Sequence, residues 1–222
     1  MAGQRRYATL LAKGEDRRAR ILAVAQRMVA RNGARGTTLG QIAQEAGVTP
    51  AGLLHHFESK EQLLHAVLDA RDAEDLAAAD FSGDMIEQLQ NVTDRFERSP
   101  ESIGMFTVLL TENLSPEAPL HERFLNRYRL SVRVIAKGIH RGQREGRYRT
   151  DLDAAVKAAE IVAFITGLET SWLLDPSIPL TEVFREYTSS LARRLSSRPN
   201  PESIPSPGSS PRTSSSDPSV PG

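Results

Sequence analysis

The residues best suited to chemistry cluster between positions 37 and 60. They are hydroxyls at Thr37, Thr38, Thr49 and Ser59, adjacent imidazoles at His55 and His56, and an ammonium at Lys60. Such groups donate to phosphate oxygens and base edges, so the set suits recognition of a polyanion more than bond-breaking. Other chemistries fare worse. The five histidines (His55, His56, His65, His121, His140) show no H-E-x-x-H spacing, so no metal-binding residue is assigned. The chain has no cysteine, which excludes thiol catalysis, thiolate metal sites and disulfides. No G-x-S-x-G elbow or phosphate-cradling glycine loop occurs, and no catalytic residue or cofactor is expected. A buried carboxylate pair holding a metal would reopen the enzyme reading.

Short helices must hold these groups. Ile21, Leu22, Ala25, Met28 and Val29 recur at helical spacing and predict a helix over about 16–31, closed by Asn32-Gly33. Thr38-Leu39-Gly40-Gln41 is a capping box that opens a second helix, with Leu39, Ile42, Ala43 and Ala46 inward, ending at Gly47. Thr49 caps a third helix, with Pro50 at its first position, where no backbone donor is needed. Ser59-Lys60-Glu61-Gln62 is a second capping box, opening a long helix to about Ala79. Two short helices joined by a tight glycine-containing turn make a helix-turn-helix. Leu39, Ile42, Val48, Leu53 and Phe57 form its miniature core. The exposed side of the third helix falls to Pro50, Ala51 and His55, with Leu54 undecided.

Further helical segments are predicted at about 83–97, 101–114, 120–144, 153–174 and 180–196, separated by Pro and Gly breaks. No alternating strand pattern appears, so the fold class is all-α. Four parts follow: a flexible basic arm over 1–14, a helix-turn-helix domain over 15–62, a helical body over 63–196, and a disordered Ser/Pro-rich tail over 197–222. No apolar run is long enough to cross a membrane and no signal segment is evident, so the expected compartment is the cytoplasm. Net charge is zero, but residues 1–65 hold ten Lys/Arg against five Asp/Glu, and 66–195 hold sixteen against twenty-one. A basic head on an acidic body suits a polyanion partner for the head alone.

The stretch from Ile21 to about Leu68 resembles the DNA-binding head of the TetR family of regulators. The matching features are the opening helix, then G-x-x-x-T-T-L-x-x-I-A-x-x-A-G-V-T, then L-L-H-H-F-x-S-K-E-x-L-L. The resemblance implies a three-helix head on a roughly six-helix ligand-binding and dimerisation body. More loosely, Gly146-Arg147-Tyr148 through Asp153, Gly167-Leu168 and Trp172 through Asp175 resemble the C-terminal part of many members.

The implied function is sequence-specific binding of a palindromic double-stranded DNA operator by a homodimer that represses transcription and releases on binding a small, mostly apolar effector. The implied DNA-facing set is Thr37, Thr38, Gln41, Thr49, Pro50, Ala51, Gly52, His55, His56 and Lys60. Thr38 would meet phosphate through its hydroxyl and the helix N-terminus, and Lys60 as a point charge, unless it is simply solvated. The third helix would enter the major groove, where Thr49 and Ala51 could pack on a thymine methyl. His55 or His56 would bond phosphate or a base acceptor. Arg5, Arg6, Lys13, Arg17, Arg18 and Arg20 could reach the DNA, or the last three could be a solvated face.

Two positions depart from the family pattern. Leu54 stands where many members have Tyr, and Gly40 where a polar or basic residue is common. With no Arg, Lys, Asn or Gln on the third helix, DNA shape should contribute strongly to selectivity. These departures also keep alive an alternative: a helical ligand-binding or protein-interaction module that has lost DNA binding.

In the body, the effector-site expectation is Met85, Leu89, Phe106, Leu110, Asn113, Phe124, Tyr128, Phe164 and Trp172, with Glu112 and Arg127 as further polar anchors. The dimer expectation rests on the last two helices. Small residues Ala155, Ala159, Ala163 and Gly167 recur at four-residue spacing, and Phe184, Tyr187 and Leu191 form a stripe.

Overall fold

A computed structural model describes residues 2–78, 83–90 and 100–196. Among them the regular elements are helices: α1 (Ala2–Asn32), α2 (Leu39–Glu45), α3 (Pro50–His56), α4 (Lys60–Ala78), α5 (Met85–Gln90), α6 (Pro100–Glu112), α7 (His121–Arg144), α8 (Ala154–Leu174) and α9 (Leu180–Leu195). The tail over 197–222 and the 91–97 part of the helix expected over 83–97 lie outside the described residues.

The N-terminus differs from expectation. Helix α1 begins at Ala2 rather than near Asp16, so the backbone of the supposed flexible arm continues α1. Ala, Leu, Gln and Arg fill that stretch and no proline interrupts it, which favours extension of a helix already nucleated by the core-facing stripe.

Two apolar cores organise the chain. The first joins α1 (Ile21, Ala25, Val29), α2 (Ile42, Ala43), Leu53, Phe57 and α4 (Leu63, Val67, Leu68) to Met105 and Leu109 of α6. The second joins α5 (Met85, Ile86, Leu89), Ile103 of α6, Ile139, Tyr148, α8 (Ile161, Leu168) and α9 (Phe184, Leu191, Leu195). Helix α6 belongs to both, so head and body share one packed element.

Local chemistry fixes the joints. Gly47 takes φ +65 between α2 and α3, and the Val48 N–H returns to the Ala43 carbonyl at 3.0 Å. That closure needs a left-handed residue, which glycine supplies without strain. At the end of α7, Gly142 packs under the ring of Tyr148 in the connection to α8, where a Cβ would overlap it. The Tyr148 hydroxyl donates to Asp84 at 2.6 Å, and the Arg149 N–H donates to the Leu195 carbonyl at 2.9 Å. The connection thereby pins the start of α5 and the end of α9.

Candidate nucleic-acid interface and effector cavity

The head is built on hydroxyl caps. Thr38 Oγ1 accepts the Gln41 N–H at 3.2 Å and Gln41 Oε1 accepts the Thr38 N–H at 2.9 Å, completing the expected capping box. Thr49 Oγ1 accepts the Gly52 N–H at 3.0 Å and Pro50 opens α3. Ser59 Oγ accepts the Gln62 N–H at 3.0 Å, but the Gln62 side chain turns to the Glu58 N–H instead of closing a box on Ser59.

Leu53 and Phe57 are buried and anchor the inner side of α3, which leaves Pro50, Ala51, Leu54 and His55 exposed on the outer side. Gly52, His56 and Lys60 are half-buried; Thr38, Gln41 and Thr49 are exposed. Thr37 is a correction: it is fully buried and its hydroxyl donates to the Gly33 carbonyl at 2.8 Å. It closes the turn after α1 and is unavailable to a ligand.

Positive charge gathers beside α3. The His56 pKa is lowered first by burial, then by the fields of His55, Arg17 and Arg18. The Arg18 guanidinium lies 5.2 Å from the Phe57 ring centroid. Arg17 and Arg18 thus flank the C-terminal end of α3. The side chains of Arg5, Arg6 and Lys13 lie outside the described residues.

Within the body, α4, α5, α6, α7 and α8 line a cavity of about 1490 Å³. Phe106 and Phe124 meet edge to face in its wall, centroids 5.3 Å apart. The charged groups of its wall include a cluster shared by α4 and α7. Arg71 of α4 is buried with its guanidinium 3.9 Å from the Phe106 centroid. Arg123 donates to Asp69 at 2.7 Å and Asp72 at 2.9 Å; Arg127 donates to Asp72 and, at 2.7 Å, to Asp75. This ladder ties α4 to α7. Ser102 and the buried Glu169 also line the cavity.

Comparison with known proteins decides the family. Residues 21–67 match the model of bacterial regulatory proteins, tetR family. The chain is 30% identical over 183 residues to the HTH-type transcriptional repressor KstR2 of Mycobacterium tuberculosis, covering 78% of this chain and 89% of that one. The chain belongs to the TetR family. It is a helix-turn-helix, DNA-binding transcriptional regulator. Similarity extends to the HTH-type transcriptional regulator TtgR of Pseudomonas putida, at 28% identity over 74% of this chain and 83% of that one. A transcriptional regulator of Saccharomonospora viridis, solved in complex with choline, superposes with a TM-score of 0.66 at 25% identity, covering 83% of this chain and 100% of that one.

In this TetR-family chain the cavity gathers Leu89, Phe106, Leu110, Asn113, Phe124 and Tyr128 from the expected effector set. Arg127, one of the two further polar anchors, is also in the wall, whereas Glu112 turns away to accept the Ala34 N–H. Three residues of the main effector set are absent too. Met85 is buried against Gly138; Phe164 stacks on Tyr187 with centroids 3.6 Å apart; Trp172 packs on the second core. Asn113 reaches the cavity with a committed amide, since Nδ2 donates to the Leu109 carbonyl and Oδ1 accepts the Leu120 N–H. The sequence reading missed Arg71, Ser102 and Glu169.

The dimer expectation divides likewise. Ala155, Ala163 and Gly167 are exposed along α8 and Ala159 is half-buried, with Val156 67% and Leu174 88% exposed nearby. Phe184 and Leu191 are fully buried, and Tyr187 is engaged by Phe164. Phe184 and Leu191 of the α9 stripe close the protomer's own core, while α8 is apolar on two sides.

Proposed function

We propose that this regulator binds a palindromic operator as a homodimer, represses transcription, and is released by a small, mostly apolar effector taken into the body cavity. The observation that carries the DNA part is the head surface. Exposed Thr38, Thr49 and His55, half-buried Lys60, and Arg17 and Arg18 beside α3 place donors and positive charge around one short outward-facing helix. The exposed small-residue face of α8 supports pairing of two copies, and isologous pairing presents two α3 helices related by a two-fold axis. The cavity supports the effector part: a wall of aromatic and apolar side chains interspersed with polar groups is the usual design of a small-molecule site. The choline bound to the Saccharomonospora viridis relative supports a small ligand here.

The effector acts only if it favours one head spacing over the other. Helices α4 and α6 both touch the cavity and the head core, so they are the elements such a ligand would bias. The compartment that fits this reading is the cytoplasm, and no described helix is long and apolar enough to cross a membrane.

The test is fluorescence anisotropy of the full-length protein on the DNA upstream of its own gene, across a salt series, against a scrambled duplex. Selective binding that weakens steeply with salt is expected. If that duplex gives no selectivity, selection from genomic fragments follows. Failure to enrich any site there would sink the reading in favour of a module without DNA binding.

A further inference from the structure

The outward face of α3 is unusual for a surface expected to read bases. Pro50 and Leu54, and Ala51 and His55, are i,i+4 pairs that share it. No Arg, Lys, Asn, Gln, Asp or Glu lies anywhere on α3. Its polar resources are two imidazoles and the capping hydroxyl of Thr49, whose oxygen already accepts the Gly52 N–H. Bidentate pairing with guanine or adenine edges is therefore closed to this helix.

At the centre of that face stands Leu54, 47% exposed, while neighbouring Leu53 and Phe57 are 0% and 2% exposed. The head core is complete without it. Leu54 adjoins Pro50 and Ala51, one turn earlier, in a small apolar patch. Cations stand close by: the Arg18 guanidinium lies 5.2 Å from the Phe57 ring centroid at the end of α3, and Lys60 opens the next helix. A positive rim around an apolar centre complements a surface that is anionic at its edges and apolar at defined interior points. The major groove of duplex DNA has that character, with phosphates along both edges and one apolar group among the base edges, the C5 methyl of thymine.

We propose that Leu54 is a specificity-determining residue that packs on the C5 methyl of a thymine in each operator half-site. This rests on the DNA-binding reading above. Leu54 then supplies what a hydrogen-bonding side chain supplies elsewhere: discrimination of T·A from the other pairs through burial of one methyl group.

The test uses the full-length protein and its selected operator. Each thymine is replaced in turn by deoxyuridine, which removes only the methyl. One thymine per half-site is expected to weaken wild-type binding about fourfold per contact, the effect of burying one methyl group. Leu54→Ala should bind the natural operator correspondingly more weakly and lose nothing further when that thymine becomes uracil. Circular dichroism verifies that the variant folds, and the uracil series on the wild type needs no variant. Undiminished wild-type binding to a fully uracil-substituted operator would overturn the proposal, as would equal uracil sensitivity in Leu54→Ala. The DNA-binding reading survives either result. No selective binding to any duplex overturns both.

Discussion

Glu112 Oε2 accepts the backbone N–H of Ala34 at 2.9 Å. The first residue ends α6, which also carries Phe106 and Leu110 into the cavity wall; the second lies in the turn between α1 and α2. A single carboxylate thus fastens the head to the helix that borders the cavity. Gly33 makes room for it, since at φ +73 a Cβ there would collide with Glu112 Oε1. Glu112→Ala leaves the Ala34 N–H without its acceptor and is expected to lower unfolding free energy by about 1–3 kcal/mol. Glu112→Gln, which keeps an acceptor, should lose less. Urea denaturation of the two variants checks the order; equal losses would mean that the bond is not the cause.

Lys60→Ala should weaken binding to operator and scrambled duplexes by similar factors, because a phosphate contact carries no sequence information. Its signature is the salt dependence: the slope of log K against log salt should become shallower by roughly 0.9 per lost phosphate contact. An unchanged slope would return Lys60 to the solvated surface.

The pH behaviour of the head follows from His56. Burial and then the neighbouring His55, Arg17 and Arg18 hold its pKa below the ordinary 6.5. The unfolded chain therefore takes up the proton more readily than the folded one. This contribution to stability is complete above the unfolded value and is lost as pH falls through the folded value. Melting temperatures from about pH 7.5 downward should fall less steeply for His56→Asn than for wild type. Parallel curves would place the sensitivity elsewhere.

Tyr187 offers an alkaline counterpart. Its hydroxyl is buried without a hydrogen-bond partner among the described residues, and burial, then the Glu160 charge, push its pKa up to about 12. Here the stabilising contribution is present below the unfolded value near 10.0 and lost as pH rises toward about 12. Absorbance titration should show a tyrosine that ionises late. Tyr187→Phe keeps the ring stacked on Phe164, removes the stranded hydroxyl, and should be neutral or mildly stabilising at neutral pH. A marked loss of melting temperature would reveal a role for the hydroxyl.

The head was largely legible because its determinants are local. The capping hydroxyls of Thr38, Thr49 and Ser59, the positive-φ Gly47 and the alternation of Leu53 and Phe57 with exposed neighbours depend on residues within one or two turns. Thr37 was misjudged because an adjacent hydroxyl pair does not reveal which member turns inward; the Gly33 carbonyl decides it. In the body the determinants are distant. Nothing in the Asp69–Asp75 stretch itself marks its partners: Arg71 is buried over the Phe106 ring of α6, and only the arrival of α7 makes the carboxylates shared. Phe184 and Leu191 form a stripe whose periodicity is the same whether it covers the protomer's own core or a partner. The exposed row on α8 became distinguishable only once α9 had found its place.

Asp72 is held by Arg123 and Arg127 together, while Asp69 and Asp75 each serve one of these two. Both guanidiniums thus depend on one carboxylate, so that separating α4 from α7 breaks every rung at once and the middle rung carries two of the four. Neutralising it, Asp72→Asn, should loosen the contact between the helices more than neutralising Asp69 or Asp75 at either end.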